Sequence, residues 1–166
     1  MAMTLVSTVT VGSGGAASIQ FTNIPQTGKD LLVLVSGRTN TNSSTGSIVM
    51  DLNGNTTNAN YPMKAMTGTG SSILNDGSAQ RTPIEIAGNT STANTFGNGL
   101  AYISNYTSTT NKSISVDSVG ENNATSARQT ILAASFTTSS AITSITLNGA
   151  GDTIAQHSTA SLYIIS

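Results

Sequence analysis

The chain has 166 residues and a net charge of −1, and Ser, Thr, Asn and Gly (24, 27, 16 and 16 residues) fill half of it. Charged residues are only 8 % and cysteine is absent, which excludes a disulfide framework, a thiolate metal site and a cysteine nucleophile. The six basic residues (Lys29, Arg38, Lys64, Arg81, Lys112, Arg128) are scattered, so no basic stripe exists for nucleic acid, and no apolar run approaches the roughly 18 residues of a membrane span.

A chain of this length fits one domain, 1–166, that buries roughly 70 % of the surface its unfolded form exposes. Along it the apolar residues recur with period two, the pattern of strands. In Leu5–Val11 the odd positions Leu5, Val9 and Val11 are expected to face a core. The opening residues alternate apolar with Thr and Ser and lack a basic start, so no signal peptide is expected. After a break at Gly12–Gly15, Ala17, Ile19 and Phe21 alternate with Ser18, Gln20 and Thr22. Asp30–Ser36 is apolar on both sides and reads as a central strand buried front and back, with Val33 and Leu34 both inside.

Ser47–Leu52 is the next strand, and Asn53-Gly54-Asn55 predicts a hairpin because Asn and Gly tolerate positive φ. Tyr61–Met66, Ile73-Leu74, Ile84/Ile86, Leu100–Tyr106, Ser113–Val119, Arg128–Thr137, Ala141–Leu147 and Ser158–Ile165 follow. Roughly ten to twelve strands at this spacing predict an all-β, single-domain antiparallel fold, a β-sandwich or a jelly roll. Segments 16–22 and 141–147 look alike, as two strands of one sandwich do.

Constellations for chemistry are sparse. His157 is the single histidine; Asp152 lies five residues upstream, and the adjacent Ser158 points to the opposite face of a strand. Asp51–Asn55 is rich in oxygen, but Gly54 falls at the fourth position and Pro62 at the twelfth, which does not fit a calcium loop. Nothing in the spacing of Glu85, Asp117 and Glu121 brings two of them together as paired carboxylates. No cofactor and no metal is expected. The six Asn-X-Ser/Thr sequons (Asn42, Asn55, Asn89, Asn105, Asn111, Asn123) are about what so many Ser and Thr produce by chance. Phe96, Tyr102 and Tyr106 form the one local group of aromatics and are the candidate interface residues.

Three stretches carry a resemblance: MTLVSTVTVGSGGAASIQFTNIPQT followed by DLLVLVSGRTN, then NTFGNGLAYISNYTSTTNKSISVDSVGENNAT, and finally AITSITLNGAG with STASLYII. Together they resemble small β-rich virion proteins of tailed bacteriophages, chiefly those of aquatic bacteria. Lys29–Asn42 and Tyr61–Gln80 depart from that texture. The resemblance implies a jelly-roll-like sandwich and a non-enzymatic, structural place on the particle, made in the host cytoplasm and carried on the capsid exterior. The expected role is decoration (cement) of the outer capsid surface, with the major capsid protein and further copies of the chain as partners, a trimer favoured. The alternative is a tail or fibre module that binds a host-surface glycan through Phe96 or Tyr102.

Overall fold

The computed structural model describes residues 2–78 and 80–166, and these form twelve strands with one short 3₁₀ turn. The strands are β1 (Met3–Thr10), β2 (Ser18–Phe21), β3 (Asp30–Gly37), β4 (Thr45–Leu52), β5 (Met63–Gly68) and β6 (Ile73–Asp76). They continue as β7 (Thr82–Ala87), β8 (Gly97–Ile103), β9 (Lys112–Glu121), β10 (Ala127–Phe136), β11 (Ile145–Asn148) and β12 (Thr159–Ile165). One antiparallel sheet runs β1-β12-β3-β8-β9-β10-β5-β6, and the other runs β2-β11-β4-β7.

The expected jelly roll is written in these orders. The quartets β1-β12-β3-β8 and β2-β11-β4-β7 interleave the two halves of the chain, so successive strands alternate between facing sheets. Two hairpins depart from that plan. β5–β6 lies between β4 and β7 in sequence, and β9–β10 lies between β8 and β11. The hairpins pair with each other, Leu132 opposite Ala65, and so extend one sheet to eight strands.

The core lies between the sheets. Leu31, Val33, Ala101, Leu162 and Ala160 face Ile48, Met50, Leu52, Ile84, Ile145 and Leu147, and all are fully buried. Where β7 crosses β8 the layers almost touch, backbone to backbone. A Cβ on Gly97 would sit 2.6 Å from the Val119 carbonyl oxygen and 2.7 Å from the Ile86 Cα, so only glycine fits. At one end, buried Tyr61 packs its ring 5.0 Å from that of Phe136. Its Oη accepts from Leu52 N and donates to Asn55 O, both at 2.9 Å, and burial pushes its pKa up to about 12.

Several local expectations change. A bulge between Leu5 and Ser7 shifts the face of β1, so Val6 and Val9 pack on the core while Leu5 is 51 % exposed. Asn53 and Gly54 do adopt positive φ (52° and 68°), but the turn carries the chain from β4 to the other sheet and closes no hairpin. The strand expected at Leu100–Tyr106 ends at Ile103, leaving Tyr106 in a turn. The similar segments 16–22 and 141–147 prove to be partners, Ile19 opposite Leu147 and Phe21 opposite Ile145. β3 is not buried on both sides: Val33 is inside, but Leu34 is 36 % exposed on the outer face.

Candidate functional site

Strand alternation assigns every second residue of the eight-stranded sheet to its outer face, and pairing aligns those residues in rows. One row reads Leu5, Tyr163, Leu32, Tyr102, then Ser115, Ala133 and Lys64. The next reads Thr8, Ser161, Leu34, Leu100, Asp117, Ile131 and Met66. Leu5, Tyr163, Leu32, Tyr102, Leu34 and Leu100 are therefore contiguous across four strands. Among the described residues the large exposed hydrophobics are Met3, Leu5, Leu34, Met66, Ile73, Leu74, Leu100 and Ile131, and all eight belong to this sheet.

The face is large, and its apolar band occupies four of the eight strands. Eight strands about 4.8 Å apart span about 38 Å, and seven residues at about 3.3 Å give about 23 Å, a projected area of roughly 900 Å². One side of a standard protein interface is about 800 Å². Charge is confined to Asp30, Asp117, Glu121 and the single Lys64. Asp30 is tied down, since the Tyr102 hydroxyl donates to its Oδ2 at 2.6 Å and Asn105 N donates to Oδ1 at 2.8 Å. That hydrogen bond to a carboxylate raises the Tyr102 pKa. Such a surface can desolvate against a flat partner.

The structure separates the three aromatics grouped in sequence. Tyr106 is fully buried, its hydroxyl donating to the Pro25 carbonyl and accepting from Gly28 N, so it is a core residue with no surface to offer a partner. Tyr102 belongs to the apolar face. Phe96 is half-buried just before β8, six residues or about 20 Å from Tyr102 along the strand. Leu5, Leu32, Leu34, Leu100 and Tyr163 were missed as site residues. Their signal is the two-sided apolar run of β3, which reads equally as a strand buried by its own chain.

The other constellations resolve into structural contacts. Asp152 Oδ2 accepts from Thr41 Oγ1 at 2.6 Å, and buried Ser158 bonds to the Arg38 backbone, so neither turns toward the exposed His157. Glu85 lies on β7, where it accepts from Thr130 Oγ1 at 2.9 Å and faces Arg128 at 3.4 Å; Asp117 and Glu121 are on the far surface of the molecule. Asp51 points away from the core on β4 yet is 3 % exposed, covered by Arg81 at 3.1 Å and by Asn148. Burial outweighs the guanidinium and raises its pKa.

No protein-family model matches the chain, and no curated protein matches it. Among solved structures, the CBM2 module of the evolved Dit of Lactobacillus casei BL23 phage J-1 aligns with 90 % of this chain and 69 % of its own. The identity is 12 % and the TM-score 0.23, a superposition too loose to carry any argument.

Proposed function

We propose that the protein is a structural component of a phage particle that seats itself on the outer capsid surface through the outer face of the eight-stranded sheet. The observation that carries this reading is the contiguous band from Leu5 through Tyr163, Leu32 and Tyr102 to Leu34 and Leu100, left uncovered by the chain itself. Burying such a band against capsid subunits reinforces a shell without covalent chemistry. The resemblance to phage virion proteins supports the same role. Low charge lets many copies sit side by side without strong repulsion, and a trimer at a capsid three-fold axis fits that arrangement. Asp30, Asp117 and Glu121 on the face call for a basic rim on the capsid partner.

The test is the copy number of the chain relative to the major capsid protein in purified particles, by quantitative mass spectrometry. A ratio within a few-fold of one is expected. A few copies per particle would move the protein to the tail, and absence from particles would end the reading.

A further inference from the structure

A second surface, independent of the sheet face, is a groove of about 340 Å³ lined by Arg38, Ala93, Asn94, Phe96, Ala155, Gln156 and His157. Its size falls within the range of small-ligand sites. We propose that this groove binds a neutral sugar ring, stacked on Phe96 and held by Asn94, Gln156 and His157.

Two tight turns make the walls. In the first, Thr95 N donates to Thr92 O at 3.1 Å; in the second, Ser158 N donates to Ala155 O at 3.2 Å. The third residue of each turn, Asn94 (φ 64°) and His157 (φ 72°), occupies the left-handed region. After glycine, Asn and His are among the residues that enter this region most readily, and the two turns present an amide and an imidazole to the groove.

Arg38 locks the walls together. Its backbone accepts from Ala155 N at 2.8 Å and donates to Ser158 Oγ at 3.1 Å. Its guanidinium donates to four carbonyl oxygens of the other wall, those of Asn89, Ser91, Thr92 and Thr95, at 2.9–3.0 Å. With its donors committed, Arg38 supplies rigidity and leaves little to attract an anion. Asn94, Gln156 and His157, by contrast, have no side-chain partner among the described residues and are exposed. Phe96 is half-buried, and Ala93 and Ala155 line the same groove with small side chains. A groove that offers an aromatic ring together with free amide and imidazole groups suits a pyranose, which has an apolar face and a rim of hydroxyls.

The experiment is a two-dimensional amide NMR titration with methyl glycosides of glucose, galactose, mannose, N-acetylglucosamine and sialic acid as probes. At least one neutral glycoside is expected to shift the amides of Asn94, Phe96 and Gln156–Ser158 saturably. Phe96→Ala should weaken that binding at least tenfold. His157→Gly should also weaken it without lowering the melting temperature, because it relieves a left-handed residue; this keeps the test readable if Phe96→Ala loosens the fold. The proposal fails if no neutral glycoside shifts these amides, if both variants bind as the parent does, or if sialic acid alone binds.

Discussion

On the four-stranded sheet the outward positions of β2 and β11 are Ser18, Gln20, Thr146 and Asn148, whereas those of β12 and β3 on the other sheet include Tyr163, Leu32 and Leu34. Both sheets contribute the same kind of inner face, so core packing does not explain the difference. The smaller sheet even hides its outward carboxylate, Asp51, beneath Arg81 and Asn148. One outer surface is polar along β2 and β11, and the other carries an apolar band across four strands. In the role proposed above, the second surface is the one that a partner covers.

The contrast depends on the two layers being pressed together, and the sharpest way to break it is at their crossing. Gly97→Ala drives a Cβ into the backbone of Val119 and Ile86 and is expected to cost about 3 kcal/mol or more, read by urea unfolding. Next come the neighbours on β3: Val33→Ala should cost about 2–4 kcal/mol, while Leu34→Ala should cost about 0.5 kcal/mol in the same assay. Equal losses would mean that the outer face is covered by the chain after all. The double substitution Leu34→Lys/Leu100→Glu, on directly paired residues, should reduce binding to purified capsids at least tenfold, about 1.4 kcal/mol, while the melting temperature holds. Gln20→Lys/Thr146→Glu, also a directly paired couple, should leave binding to purified capsids unchanged when both variants are measured by co-sedimentation.

The smallest effect concerns Asp51. Its folded pKa lies above the unfolded 3.8, so the folded state holds that proton more tightly. The resulting stabilisation is complete below 3.8 and is lost as pH rises through the raised value. The melting temperature of the parent relative to Asp51→Asn should therefore increase slightly between about pH 7 and about pH 4. A decrease would mean that the ion pair with Arg81 dominates.

The strand period made most of the inner face legible: Ile19, Phe21, Val33, Ile84, Ile86, Ile114 and Val116 are buried as the alternation predicts. The number and spacing of strands also gave a sandwich or jelly roll, and the resemblance to phage virion proteins favoured the jelly-roll form. What alternation does not encode is whether a second apolar face is covered by the same chain, and Leu34 is the residue where that ambiguity falls. The bulge beside Val6 was equally silent, because a single extra residue changes the facing of β1 without changing its composition. The groove was invisible for another reason. Residues Asn94 and Gln156–His157 are distant in sequence, and Arg38 bonds to both of their turns. Of that groove, the aromatic Phe96 alone stood out.

The pairing of β1 with β12 places Met3 opposite Ile165, and Ala2 and Ser166 exchange two backbone hydrogen bonds of 3.0 Å. Before that ladder can form, a loop of nearly the whole chain must close, and its entropy is lost before any contact repays it. Folding is therefore expected to be slow, with the first strand docking late. A circular permutant that joins Ala2 to Ser166 and opens the exposed tip between Thr69 and Ser72 would make that ladder local. It should keep the same sandwich and reach it faster.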